Sequence, residues 1–225
     1  MKNIGIVIQA RMGSTRLPHK VLLSFCRKPM LQFQIEILQK YNLGYDILVA
    51  TTSNKEDKEI VKFCKKINIK CYSGNVYNVF DRYCKVAEKF NYETIVRLTA
   101  DNPLVSYAIL NEAISSHVEN QPDLTTTRDV KENGKIISLV PKGLSVDVIN
   151  SKTLLSIDGT KLTQFQKEHV IPVFYKRNYI VNLVESPINY TDDLSIDTLQ
   201  DFNRVQDFTN SLIRENNLWG YLGYG

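Results

Sequence analysis

Residues 4–23 read Ile4-Gly5-Ile6-Val7-Ile8-Gln9-Ala10-Arg11-Met12-Gly13-Ser14-Thr15-Arg16-Leu17-Pro18-His19-Lys20-Val21-Leu22-Leu23. The apolar run Ile4–Ile8 predicts a buried strand, and it stops abruptly at a polar loop. Arg11, Arg16 and Lys20 surround Gly13, Ser14 and Thr15 in that loop. Small residues let backbone N–H groups approach phosphate oxygens, and guanidinium and ammonium groups offset the charge. A polyphosphate site is one reading; an ordinary strand-to-helix turn with solvated charges is the other. The segment is neither common phosphate loop. Gly13 is followed by Ser14-Thr15 rather than Lys-Ser/Thr, and it lacks the partner glycines of a dinucleotide fingerprint.

Outward from this stretch, strand and helix patterns alternate. Pro29–Lys40, Lys55–Ile67, Val79–Phe90 and Pro103–His117 carry apolar residues at helical spacing. Between them, Asp46–Ala50, Lys70–Tyr72 and Thr94–Leu98 are strand-like. Repeated strand-then-helix units predict an α/β fold, a mainly parallel sheet covered on both faces. Ligands bind such sheets at the carboxyl ends of the strands. That edge includes the opening loop, Thr51-Thr52-Ser53-Asn54 and Thr99-Ala100-Asp101-Asn102. The pattern changes at Asp123–Ile149, where short β-branched runs and a Glu132–Gly134 turn predict a hairpin excursion that leaves the sheet and returns. Tyr179–Val184 reads as a strand and Thr198–Asn216 as a helix with Phe202, Val205, Phe208, Leu212 and Ile213 inward.

A length of 225 residues fits one domain spanning 1–225. A net charge of +4 without a long basic run argues against nucleic acid as a partner. The four cysteines form no CxxC pair, which argues against a zinc ribbon. Neither a signal peptide nor a membrane span is legible, so a cytoplasmic protein is the expectation.

Asp101 carries the metal question. It follows the Thr94–Leu98 strand and suits either a hard divalent cation or a helix N-cap. At Asp197-Thr198 the residues alone favour capping of the last helix. The Glu168-His169 pair fits a surface feature or a structural hydrogen bond as well as substrate contact, and it lacks the HExxH spacing of a zinc protease.

Gln9–Leu22 resembles the N-terminal signature of the cytidylyltransferase family, QARMGSTRLPGKVL in its common form. The wording is nearest to the spore-coat polysaccharide (SpsF-like) branch, related to the acylneuraminate and 3-deoxy-manno-octulosonate cytidylyltransferases. Val96–Val105 is similar to VRITGDCPLID, with Ala100 for Gly and Asn102 for Cys. Leu194–Phe202 resembles LTVDTPEDF, with Leu199 for Pro. Gly74–Tyr83 resembles GxxxDVLDRY, with Asn78 for the first Asp; Pro141–Val148 and Glu168–Pro172 resemble PDGLDVEV and EHVTP. His19 stands where glycine is usual.

The resemblance implies a three-layer nucleotide-diphospho-sugar transferase (Rossmann-like) fold and cytidylyl transfer from CTP to an acidic sugar or related anionic acceptor. It implies Mg²⁺ or another divalent cation on Asp101 and Asp197, and catalytic roles for Arg11, Lys20 and Asp101. The nucleotide site it implies comprises Gln9, Ala10, Arg11, Met12, Gly13, Ser14, Arg16, Lys20, Thr51, Thr52, Ser53, Thr99 and Ala100. Acceptor contacts fall to Arg82, Asp147, Glu168 and His169. A homodimer formed through the 123–149 excursion is expected. A glycosyltransferase on the same fold is the main rival, but Asp101 is followed by Asn102-Pro103 rather than forming an Asp-x-Asp motif. A non-catalytic nucleotide-binding protein is the other.

Overall fold

The computed structural model describes residues 3–130, 136–175 and 178–225. The opening run is β1 (Ile4–Gln9), followed by a two-residue hairpin of β2 (Ser24–Phe25) and β3 (Lys28–Pro29) and by α1 (Met30–Tyr41). Then come β4 (Asp46–Thr52), α2 (Lys58–Lys66), β5 (Lys70–Gly74), α3 (Val79–Phe90), β6 (Thr94–Thr99) and α4 (Tyr107–Asn120). The second half holds β7 (Leu124–Thr126), β8 (Arg128–Val130), β9 (Ile136–Ser138), β10 (Asp147–Asn150), α5 (Ser151–Ser156), α6 (Gln164–His169), β11 (Val181–Leu183), α7 (Leu199–Arg214) and α8 (Leu218–Tyr221).

Seven strands form one sheet in the order β11-β7-β10-β6-β1-β4-β5. Strands β6, β1, β4 and β5 are parallel, and β10 runs antiparallel between β6 and β7. Alternation along β1 sends Ile4, Ile6 and Ile8 into a core shared with α1, α4 and α7, while Val7 faces a second core with α3. Each such buried side chain stabilises the fold by about 1.5–3 kcal/mol. Gly5 is required on the α3 side, because the Tyr92 ring lies 2.4 Å from where a Cβ would stand.

Local signals explain the helix ends. Asn78 caps α3 by accepting the Asp81 amide at 2.9 Å, and Asn91 closes it in the left-handed region. Asn78 therefore does the work of the aspartate it replaces. Helix α4 starts four residues later than the apolar pattern predicts, because Ser106, not Pro103, supplies the cap.

Strands β7 and β10 lie in the main sheet toward the two ends of the 123–149 segment, and between them the β8–β9 hairpin lies outside that sheet; the expected turn at Glu132–Gly134 falls outside the described residues. One expectation changes. In α7, Phe202, Val205 and Leu212 are buried, but Ile213 is exposed rather than inward. Among the described residues, no helix is long and apolar enough to cross a membrane.

Candidate active site

Strands β1, β4 and β6 end on the same edge of the sheet. The chain leaves β1 toward β4 and leaves β6 toward β7, in opposite directions along the sheet, and the reversal leaves a crevice between their carboxyl ends. The opening loop fills one side of it and is pinned through Met12. The Met12 amide donates to Asp57 Oδ1 at 2.6 Å, and its carbonyl accepts from the Ser14 and His19 amides at 2.9 and 3.0 Å. Asp57 is itself buried and accepts the Thr52 hydroxyl. His19 adopts φ 62°, ψ 12°, the left-handed conformation that glycine takes without strain. This explains why glycine is usual there: the turn into the short 3₁₀ segment Lys20–Leu22 requires it.

The other side of the crevice holds the carboxylates. Since Ser106 caps α4, Asp101 does not serve as its cap. Its loop is clamped by the wholly buried Gln34 of α1, whose Nε2 donates to the Thr99 and Asn102 carbonyls at 3.1 and 2.8 Å. The Ile196 amide donates to the Asp101 carbonyl at 3.1 Å, joining the late segment to this loop. Thr198 caps α7 in a reciprocal box with Asp201, which leaves Asp197 to face the crevice. Gly143, at φ 92°, allows that segment in: an added Cβ would lie 2.4 Å from the Leu194 carbonyl carbon.

Cations and carboxylates meet. Lys20 Nζ lies 3.4 Å from Asp101 Oδ2 and 3.5 Å from Asp197 Oδ1, and donates to the Ile196 carbonyl at 2.6 Å. Arg16 Nη2 is 3.0 Å from Asp197 Oδ2. Lys20 is buried, whereas the Asp101 and Asp197 side chains are 39% and 41% exposed and open to a ligand. Two oxygen-donor groups suit a hard divalent cation that takes its other ligands from phosphate and water. Among the described residues, no group of three or more His, Cys, Asp or Glu side chains offers a fuller cage.

The resulting cleft, about 370 Å³, is lined by Gln9, Ala10, Arg11, Ser14, Thr15, Arg16, Lys20, Val21, Thr99, Ala100, Asp101, His169 and Asp197. His169 comes from the end of α6 and packs its ring on Phe165. Its pKa is lowered by partial burial and by the charges of Arg97 and Arg128, against the opposing pull of Glu168. The next residue, Val170, holds φ 61° and ψ −62°, a strained backbone for a β-branched residue, and is fully buried. A larger groove, about 540 Å³, contains Arg27 and Arg214 but no carboxylate.

Other expected site residues lie elsewhere. Met12 acts through its backbone, and Gly13 is exposed in the loop. Thr51 and Thr52 are buried, Thr52 on Asp57, while Ser53 and Glu168 are exposed without lining the cleft. Arg82 is buried, its Nε and Nη1 without hydrogen-bond partners, and burial lowers its pKa.

The substrate-contact assignment for Asp147 is corrected: the residue has no exposed surface. It accepts Arg97 Nη1 at 2.8 Å and Thr126 Oγ1 at 2.6 Å, with Arg128 Nη2 at 3.6 Å. Burial alone would raise its pKa, but Arg128, Arg97 and the Thr126 hydroxyl outweigh it and hold the carboxyl below its usual range. Asp57 and Gln34 are site-shaping residues without a sequence signature, since each works through a partner distant in the chain.

Residues 5–215 match the family model described as Cytidylyltransferase. The chain belongs to the cytidylyltransferase family. It is therefore an enzyme of the nucleotidyl-transferring class. It is 33% identical over 218 residues to the spore coat polysaccharide biosynthesis protein SpsF of Bacillus subtilis, covering 92% of this chain and 86% of that protein. Among solved structures, a cytidylyltransferase from Leptospira borgpetersenii superposes with a TM-score of 0.81 at 24% identity, covering 97% of both chains. A CMP:2-keto-3-deoxy-manno-octonic acid synthetase complexed with CTP superposes with a TM-score of 0.69 at 15% identity, covering 93% of this chain and 99% of that one. These two likenesses establish the nucleotide-diphospho-sugar transferase fold for this cytidylyltransferase.

Proposed function

We propose that this cytidylyltransferase moves the cytidylyl group of CTP to a small anionic acceptor, an acidic sugar or a related compound, in surface polysaccharide or glycoconjugate synthesis. The convergence of Arg11, Arg16 and Lys20 with Asp101 and Asp197 in one cleft carries the proposal. Arg11, Arg16 and Lys20 grip the β- and γ-phosphates and take up the charge that develops on the leaving pyrophosphate. The Met12–Ser14 backbone closes over the triphosphate, and Gln9, Ala10, Thr99 and Ala100 border the base and ribose.

Asp101 and Asp197 would hold Mg²⁺, which when bound screens the phosphates and draws electron density from the α-phosphorus. An acceptor oxygen forms the new bond to that phosphorus as the bond to the bridging oxygen breaks and pyrophosphate leaves. His169 lines the same cleft, and its lowered pKa favours the neutral imidazole that would accept the acceptor's proton. The names of the similar proteins, one from polysaccharide synthesis and one holding CTP, support this reading.

The chain acts as one domain in the cytoplasm and pairs with a second copy. The exposed Ile180 and Leu183 on the β11 sheet edge, with the nearby β8–β9 hairpin, support pairing. Light scattering that gives a monomer at micromolar concentration would remove the pairing.

Pyrophosphate release, assayed with each of the four nucleoside triphosphates against a panel of acidic sugars, tests the activity. Release with CTP plus an acidic acceptor, lost in Asp101→Asn, is expected. Consumption of a nucleotide sugar with no release from CTP would overturn the proposal.

A further inference from the structure

The charged groups of the cleft pair with one another. Lys20 Nζ bridges Asp101 Oδ2 and Asp197 Oδ1 at 3.4 and 3.5 Å, and Arg16 Nη2 takes the remaining Asp197 oxygen at 3.0 Å. Two carboxylates face two cations, so the pair carries no net charge toward an incoming metal ion. The ammonium is buried and also donates to the Ile196 carbonyl at 2.6 Å. Meanwhile the two cations best placed to receive a triphosphate are engaged by the carboxylates that a divalent cation would use.

We propose that Lys20 is a surrogate cation of the resting site, and that it makes divalent metal and nucleoside triphosphate bind cooperatively. The inference rests on the assignment of Asp101 and Asp197 to the metal. In the absence of nucleotide, Lys20 neutralises both carboxylates and keeps their affinity for a free divalent ion low. Phosphate oxygens offer Lys20 and Arg16 alternative partners. As these side chains swing to the phosphates, Asp101 and Asp197 regain their negative charge and open to the cation. The two ligands therefore favour each other, and linkage requires the same factor in both directions. Lys20 also keeps the two aspartates from repelling one another while the site is empty, which preserves the spacing the cation needs.

The test is a titration of the nucleotide-free protein with Mn²⁺, followed by electron paramagnetic resonance, for wild type, Lys20→Gln and Arg16→Gln. It is repeated with CTP present. Lys20→Gln is expected to bind Mn²⁺ alone at least about tenfold more tightly than wild type, within the usual range of site-to-site coupling. CTP should then strengthen Mn²⁺ binding in wild type by a larger factor than in Lys20→Gln. Mn²⁺ affinity that is unchanged or weaker in nucleotide-free Lys20→Gln would overturn the proposal. Should circular dichroism show that variant unfolded, Arg16→Gln decides, because its side chain is 62% exposed and not part of the core. A several-fold tightening there supports the surrogate role, and no change refutes it. Should CTP fail to bind the wild type, the proposed function falls, while the Mn²⁺-only comparison still decides this inference.

Discussion

Replacing Asp147 with Asn probes the most demanding interaction in the molecule. The carboxylate has no exposure and accepts bonds at both oxygens, from Thr126 at Oδ1 and from Arg97 at Oδ2, with Arg128 beyond. Asparagine keeps the shape but offers one acceptor and turns an NH₂ donor toward the other partner. Thr126 can rotate its hydroxyl to accept, so the loss concentrates on the guanidinium groups. Arg97 is buried, with its Nε already unpartnered, and would be left without the carboxylate it pairs with. Removing one member of a buried pair costs about 3–5 kcal/mol. At about 2–4 °C per kcal/mol for a chain of this size, Tm should fall by roughly 6–20 °C.

The assay is urea unfolding of Asp147→Asn beside the double variant Arg97→Met/Asp147→Leu. The double variant buries no lone charge, and Arg128 can turn to solvent, so it should regain most of the lost stability. A loss under about 1 kcal/mol in the single variant, or a double variant no better than the single, would refute the argument that uncompensated charge is the cost.

Three further outcomes follow from particular residues. His19→Gly should stabilise the protein by roughly 0.5–1 kcal/mol, because relief of left-handed strain exceeds the added chain entropy of glycine; a lower urea midpoint would mean that the imidazole makes a contact worth more than the strain. Gly143→Ala should cost roughly 2–4 kcal/mol, since the methyl meets the Leu194 backbone, and it should weaken metal-dependent turnover by displacing Asp197; unchanged turnover would uncouple that packing from the site.

On the acid side, Asp201 is pulled down to about 2, first by the Thr198 hydroxyl against burial, then by the Thr198 and Asp197 amides and Arg204; Asp147 is also depressed. Both carboxyls bind protons less readily when folded. For Asp201 the contribution is therefore complete above the unfolded value near 3.9 and lost as pH falls through the folded value, a window of about pH 4 to 2, and the Asp147 contribution is lost in the same direction. Asp201→Asn should flatten the unfolding free energy across that window, and an unchanged slope would contradict the assignment.

What was legible in the sequence was local. The bounds of α3 are read directly because Asn78 and Asn91 punctuate a clean apolar period. The edge that gathers Lys20 and Asp101 follows from parallel strands, whereas Asp197 is brought to it by the segment before α7 and is legible only through the family resemblance. The freedom of both aspartates to face the cleft is not legible, because it depends on Ser106 and Thr198 taking the capping roles that Asp101 and Asp197 could have filled. The β-branched runs of 123–149 mark strands without saying which sheet they join, and the insertion of β10 between β6 and β7 is visible only in the structure. Asp147 looked like a contact residue, and only its buried partners show otherwise. Asp57 and Gln34 carry no signature, since 45 residues separate Asp57 from Met12 and 65 separate Gln34 from Thr99. The left-handed turn at His19 was hidden in the same way, by a residue type that does not announce it.

The central claim is that one cleft holds the triphosphate on Arg11, Arg16 and Lys20 and the metal on Asp101 and Asp197. A crystal grown with CTP and Mn²⁺, with anomalous scattering collected at the manganese edge, tests it most directly. The expected result is a manganese peak between Asp101 and Asp197, with phosphate density against Lys20 and Arg16. A peak elsewhere, or phosphates seated in the groove of Arg27 and Arg214, would contradict it.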